Sequence, residues 1–394
     1  MTSIRIKQFS EKNYIFFYQL FLLLSAIFCG YTKVNNIYHL SLILLGITLF
    51  TDNKKLIRLF LEDTAFRRGL TITAVFLMYF CLSTFWSDNP RDFISAITHS
   101  LYLLGFLFIY RQACLNGKKT GILLFALAGI MILLLLTFYC VDKKSILTNR
   151  LMVSFFAAPS NVIDLAGYFC IGIFLCLIII RDTNNKWFYL PIPFLFIGVI
   201  LTQSRGPLLS FVVSLLPLLL MKPAIRKQHI VIFLIFIIML ASFIVMMNFE
   251  YILFNRFETA YQQSFIRVGI WAHTLDMVQI HPFFGWGFNK ELHFLNSLNA
   301  PVKTTHSLYL STLLKGGIAG LFLLGGVLSY GLYMAKKHLA DRQGFEAALF
   351  LFMIFFFTTQ GMFIISNPGV TWYLFWFPLA VILSPPGKQT PLSV

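Results

Sequence analysis

Apolar runs of roughly 17 to 22 residues follow one another along this chain, parted by short polar or basic segments, and that spacing constrains the fold more than any other feature. A run of that length crosses hydrocarbon as a helix, because only a helix or a closed barrel satisfies every backbone N–H and C=O where no water is present. Barrel strands would alternate polar and apolar residues over much shorter stretches, which this chain does not do. With 58% hydrophobic and 12% charged residues, a soluble globule of this composition would expose far too much apolar surface. The sequence predicts an all-α, polytopic membrane protein embedded in a lipid bilayer.

Windows of about 19 residues give roughly twelve spans, starting near Tyr14, Val34, Gly69, Phe93, Thr120, Val162, Trp187, Pro207, Ile230, Ser307, Phe345 and Thr371. The seventh and eighth form an almost continuous apolar run. A turn is expected between them at Gln203-Ser204-Arg205-Gly206-Pro207, since proline removes a helix hydrogen bond and arginine is costly at mid-bilayer. The first twelve residues carry Arg5, Lys7 and Lys12, but no small-x-small cleavage site follows Tyr14 to Gly30, so this run reads as a retained first span. Of the six cysteines, four fall within spans, and neither a disulfide framework nor a C-x-x-C pair is apparent.

Orientation follows from the basic residues. With a cytoplasmic N-terminus, the inside segments hold about twenty of the 31 lysines and arginines. The net charge of +16 is then largely topological, and its dispersal over several loops argues against nucleic acid as a partner. No Ser/Gly- or Pro-rich linker divides the chain, so residues 1–394 read as one membrane domain. Within it, residues 248–305 form one large outward loop. In that loop Arg267, Trp271, Leu275 and Val278 recur at helical spacing, Pro282 ends the helix, and His281-Pro282-Phe283-Phe284-Gly285-Trp286-Gly287 is a turn whose glycines allow close backbone approach.

Charge near apolar surroundings is expensive unless paired or used. Arg205, Arg256, Arg267, Lys290, His306 and Lys315 gather on the outer side, with Asp88, Asp92 and Asp164. A cationic face of this kind suits an anion such as a phosphate or diphosphate, for which the planar guanidinium fork is better matched than an ammonium. Each residue also has a plainer reading. Arg205 is an interfacial, snorkelling arginine; His306, expected in the first turn of the tenth span, is a cap; Trp271 is a belt residue; Asp88 or Asn89 caps the fourth span, with Pro90 at its first position. Lys315 either snorkels, lines a cavity or pairs with a carboxylate. No H-E-x-x-H, Walker loop, G-x-S-x-G or dinucleotide fingerprint is present, which argues against zinc, ATP and NAD chemistry.

Taken together, Trp86-Ser87-Asp88-Asn89-Pro90, Ser204-Arg205-Gly206, Arg267-x-x-x-Trp271, Pro282-x-x-Gly285-Trp286-Gly287 and His306-Ser307-x-Tyr309-Leu310 running into Lys315-Gly316-Gly317 resemble the O-antigen ligase and polymerase superfamily, the Wzy-C or WaaL family of bacterial membrane glycosyltransferases. The resemblance covers nearly the whole chain. It implies a GT-C type fold with a periplasmic loop, location in the bacterial inner membrane, no metal or cofactor, an undecaprenyl diphosphate-linked glycan donor and a lipid A-core acceptor. It further implies that Arg205 and Arg267 bind the diphosphate and that His306 is the essential histidine. Arg256 and Lys290 both stand as the third basic contact, and Trp271, Trp286 and Tyr309 as stacking residues for sugar or lipid. A short loop and modest length favour ligase over polymerase. A lipid-linked oligosaccharide flippase is the alternative of a different class, distinguished by charges or broken helices near mid-membrane in both halves.

Overall fold

The computed structural model describes residues 2–51, 60–142, 150–151, 155–219, 249–295 and 301–384; the side chains of 2–8, 11–12, 90, 219 and 249–264 are outside the description. The protein is mostly helical. Its main helices are α1 (Thr2–Ile27), α2 (Thr32–Thr51), α3 (Thr64–Leu82), α4 (Phe93–Leu115), α5 (Lys119–Cys140), α6 (Val162–Thr183), α7 (Pro191–Leu201), α8 (Arg205–Leu219), α9 (Phe249–Ile280), α10 (Leu308–Ala340), α11 (Gly344–Phe356) and α12 (Phe377–Leu383), the last led by a π-helical turn at Trp372–Trp376. Two-residue strands β1 (Phe294–Leu295) and β2 (Pro301–Val302) pair antiparallel, Phe294 opposite Val302.

Each expected span begins on, or within one residue of, a helical segment, except the one near Ile230, which lies outside the described residues. The spans are not uniform. Among the described residues, six helices are long and apolar enough to cross a bilayer by themselves: α2, α3 with its 3-10 extension to Trp86, α4, α5, α6 and α10. Asn13–Ile27, Lys186–Leu201, Arg205–Leu218, Gly344–Phe356 and Trp372–Leu383 are shorter apolar helices. The Lys186–Leu201 segment is short because Gln203, with φ 52°, turns the chain before α8 begins at Arg205, which is the break expected from Arg205 and Pro207.

Helix α6 is the axis of the fold. It packs against α5, α7, α8 and α11, and its near-complete burial explains why its sequence is apolar all round rather than striped. Small residues set the close approaches: a Cβ at Gly167 would meet Leu374 and Phe356, and one at Gly198 of α7 would meet Leu134 and Phe169. A second knot is aromatic, with Trp372 edge-on to Phe21, Tyr38 and Phe106.

At one end of α6, charge is buried but matched. Glu346 of α11, 1% exposed, accepts Arg181 at 2.5 Å and Lys119 at 2.7 Å, and Asp182 bonds the same two cations at 2.6 and 3.0 Å. Two acids and two bases cancel, which makes their burial tolerable, and breaking such a pair leaves an uncompensated charge. Glu346→Ala is therefore expected to destabilise the detergent-solubilised protein by about 3 kcal/mol. Lys119→Met should cost less, because Arg181 still neutralises the carboxylate. Thermal unfolding midpoints check both.

Candidate functional site

Helix α10 is broken at Gly317, whose φ of 60° and ψ of −163° lie where essentially only glycine is found. In an unbroken helix, the Ile318 and Ala319 amides would donate to the Leu314 and Lys315 carbonyls. Here all four groups are taken by the turn after α9. Trp286 N donates to Leu314 O at 3.0 Å and Gly287 N to Lys315 O at 2.9 Å, while Ile318 N donates to Pro282 O at 2.8 Å and Ala319 N to Phe283 O at 3.1 Å. Tyr79 Oη of α3 donates to the freed Gly316 carbonyl at 2.6 Å. Gly285, at φ 68°, permits the approach: a Cβ there would stand 2.5 Å from Gly317 N and the Lys315 carbonyl. The close contact expected of the glycine turn is thus with α10.

The Trp86–Asp92 segment seats the same turn. Trp86 Nε1 donates to Phe284 O at 3.3 Å, Ser87 Oγ accepts Asn289 N at 2.9 Å, and the Asn289 amide donates to Asn89 O at 3.2 Å and to the Asp92 carboxylate. Pro90 opens a 3-10 turn (Pro90–Asp92) with Arg91 N bonded to Asn89 Oδ1 at 3.4 Å, so the N-cap of α4 is Asp92 and not Asp88 or Asn89 as expected, because this extra turn precedes the helix. Lys315 is held by backbone carbonyls. Its ammonium donates to Phe288 O and Lys290 O, each at 2.7 Å, and stands over the Phe363 ring. Lys290 lies over the Trp286 ring and 3.6 Å from Asp88, and Trp286 Nε1 donates to Met277 O at 2.8 Å.

His306 is not in a helix. This corrects its expected place in a first turn: Ser307 is the N-cap, α10 starts at Leu308, and His306 has a left-handed φ of 51°. The reason is local. Thr305 Oγ1 donates to Ser307 O at 2.7 Å and accepts Ser307 N, and Leu308 N donates to Phe357 O at 3.0 Å, so the chain turns sharply before helical geometry begins. Trp271 Nε1 donates to Thr305 O at 3.0 Å, which brings α9 alongside. Arg267 lies one turn before Trp271, and its charge reaches His306. Burial first, and the Arg267 guanidinium second, push the imidazole below its usual proton affinity, while burial also lowers that of Arg267. The inward stripe of α9 is Ile270, Thr274 and Val278; Leu275, expected on that face, is exposed.

Arg205 opens α8 across the connector that follows α11. A Cβ at Gly206 would stand 2.8 Å from Thr359 Oγ1, and one at Gly361 would stand 2.7 Å from His306 Cα. Residues 359 and 361 are at most roughly 7 Å apart along the chain, so the Arg205 turn and His306 flank one connector. Between them Gln360 Nε2 donates to Asp164 Oδ1 at 2.7 Å, both side chains being buried. A further guanidinium braces the turn: Arg150 Nε donates to Thr202 O at 3.0 Å and Arg150 Nη2 to Ser204 Oγ at 2.9 Å. Tyr309 Oη donates to Ile354 O at 2.7 Å. Arg256 lies on α9 where side chains are outside the description. Arg150, Gln360 and Gly361 were missed by reading the sequence; the available signal was a polar Thr358-Thr359-Gln360-Gly361 break inside an apolar run.

Residues 190–325, from α7 through the broken α10, match the Wzy-C family model, described as O-antigen ligase. An O-antigen ligase of Pseudomonas aeruginosa is 26% identical over 318 residues, which cover 78% of this chain and 75% of the relative. The chain thus carries an O-antigen ligase family match over residues 190–325 and is similar to an O-antigen ligase over most of its length. Arg205, Arg267 and His306 all lie in the matched segment, as does the turn that enters α10; the Trp86–Asp92 seat and the Gln360-Gly361 connector lie outside it. The interleaved backbones give a direct expectation. Gly317→Ala, placed in a glycine-only conformation and 2.6 Å from Gly285 N, should cost at least about 2 kcal/mol. Gly325→Ala, which meets nothing within 4 Å, should be neutral or stabilising. Unfolding midpoints of the two variants test the contrast.

Proposed function

We propose that this protein is an O-antigen ligase, transferring a glycan from undecaprenyl diphosphate to the lipid A-core oligosaccharide at the periplasmic face of the bacterial inner membrane. The observation that carries the reading is that His306 feels the charge of Arg267 and faces the Arg205 turn across one connector. A histidine depressed by burial and a neighbouring cation is neutral at neutral pH, as a general base must be. The flanking guanidiniums suit a diphosphate. In this reading the acceptor hydroxyl gives its proton to His306 and its oxygen attacks the anomeric carbon. The bond to the diphosphate breaks, and undecaprenyl diphosphate departs with the electron pair. Arg205 and Arg267 stabilise the charge that develops on it. Direct displacement inverts the anomeric centre and requires no metal ion.

The periplasmic orientation rests on the segregation of basic residues, which leaves residues 248–305 outside. A flippase is the weaker reading, because the four amide and carbonyl groups released by the break at Gly317 are bonded within the protein rather than left to coordinate a solute. Lys315, Lys290 and Trp286 brace the turn in this reading, and Tyr309 ties α10 to α11.

Transfer by purified protein across pH 5 to 8 tests the chemistry. His306→Ala should abolish transfer while leaving binding of the lipid diphosphate donor nearly unchanged. The wild-type rate should fall only at pH below the ordinary histidine value of about 6.5, since the imidazole must be deprotonated to act and its proton affinity is lowered. Activity that rises as pH falls would assign His306 to phosphate binding instead. Arg205→Ala or Arg267→Ala should each lose roughly a hundredfold, with partial recovery in the lysine variants.

Ligase and polymerase differ in what accumulates without the enzyme. A strain lacking this protein should make lipopolysaccharide with a bare core while lipid-linked polymer builds up. A core bearing one repeat unit, with polymer absent, would identify a polymerase.

A further inference from the structure

We propose that Gly361 and Gln360 are positioning residues for the transfer step, holding His306 in its left-handed backbone conformation beside Arg267. The inference rests on the reading of His306 as the base. Left-handed residues other than glycine usually close a helix, as Asn184 does after α6; His306 instead precedes one. Such a conformation persists only where its surroundings enforce it. The Thr305 hydroxyl bridges Ser307 on one side and Phe357 O holds Leu308 N on the other. Gly361 fills the remaining side. A Cβ there would overlap His306 N and stand 2.7 Å from His306 Cα and 2.8 Å from Ser307 N, all backbone atoms that no rotamer change can clear.

Gly361 has no positive φ of its own, so glycine is required for room rather than for backbone freedom. What fixes its height is Gln360, 2% exposed and bonded to Asp164 on the first turn of α6. Thr359, the residue before, rests on Gly206. The connector therefore works as a spacer whose one side is the Arg205 turn and whose other side is the histidine backbone. A misplacement of about 1 Å between base and leaving-group site is enough to cost on the order of a hundredfold in rate.

The test uses the full chain in nanodiscs with undecaprenyl diphosphate-linked glycan as donor and core lipid as acceptor, reading kcat, donor KM and the unfolding midpoint. Gly361→Ala should lower kcat at least about tenfold while donor KM stays within about twofold, because the anion site is left in place. Gln360→Leu should act in the same direction. Asp164→Asn should keep kcat near wild type, since its amide oxygen accepts the same Gln360 bond. A wild-type kcat in Gly361→Ala overturns the proposal, as does a rise in donor KM that accounts for the whole loss. If Gly361→Ala does not assemble, Gln360→Leu decides; its failure to assemble as well would mark the connector as structural only and also overturn the proposal. His306→Ala in the same assay separates the two readings. An inactive His306→Ala beside a fully active Gly361→Ala refutes the positioning role alone, whereas an active His306→Ala refutes the base.

Discussion

The exchange of hydrogen bonds between the Pro282–Gly287 turn and the broken helix α10 is the constraint on which the rest of the site depends. A helix interrupted within a membrane protein leaves amides and carbonyls that lipid cannot satisfy. This protein meets the demand with the backbone of another segment, so that Trp286, Gly287, Pro282 and Phe283 stand in for a missing turn of α10. Glycine at 285 and at 317 is what lets two backbones lie that close. The cost of the break is thereby converted into a fixed attachment between the turn after α9 and the bundle.

That attachment explains why so many polar side chains near it are occupied. Tyr79 and Trp86 bond the turn or the broken helix, and Ser87 and Lys315 bond the residues that follow the turn, Phe288 to Lys290. With the turn immobilised, α9 has one defined trajectory, and Trp271 completes it by bonding Thr305. Arg267 reaches His306 because of this chain of supports, which agrees with the general need for reactive groups to be held by packed, hydrogen-bonded neighbours. The short leg of α10 between Leu308 and Gly317 is in effect carried on the segment that follows α9.

Hydropathy made the helices readable, because burial in lipid imposes a period and length that are local in sequence. The turn between α7 and α8 was equally readable, since Pro207 disfavours an unbroken helix through Gln203 and Arg205 is costly in mid-bilayer. So were the close-approach glycines at 285 and 287, although not their partner. What could not be read is contact across sequence distance. His306 meets Gly361, 55 positions away, and Gln360 meets Asp164, 196 away. His306 looked like a first-turn residue because Ser307 and Leu308 do begin a helix; nothing in those letters reports that Thr305 and Phe357 bend the chain one residue earlier. Lys315 was ambiguous for a related reason: two carbonyls can take up an ammonium's hydrogen bonds in place of a carboxylate, and carbonyls leave no mark in a sequence.

Helix α11 is pinned to α6 at both ends, by Glu346 to Arg181 and by Gln360 to Asp164. Along α6 the two anchors are about 25 Å apart at 1.5 Å per residue. The helical part of α11 from Glu346 to Phe356 supplies about 15 Å of that, and the few residues after it must cover the rest. The connector starts as a turn, with Thr358 N bonded to Phe355 O and Thr359 N to Phe356 O, and its height is metered by the lengths of two apolar helices. Exchanging one apolar residue for another along them leaves that measure untouched. Inserting or deleting a single residue would shift Gly361 by about 1.5 Å and turn it by roughly 100° about the helix axis. Stretches that carry almost no chemical identity therefore carry geometric information, and their tolerance of substitution conceals an intolerance of changes in length.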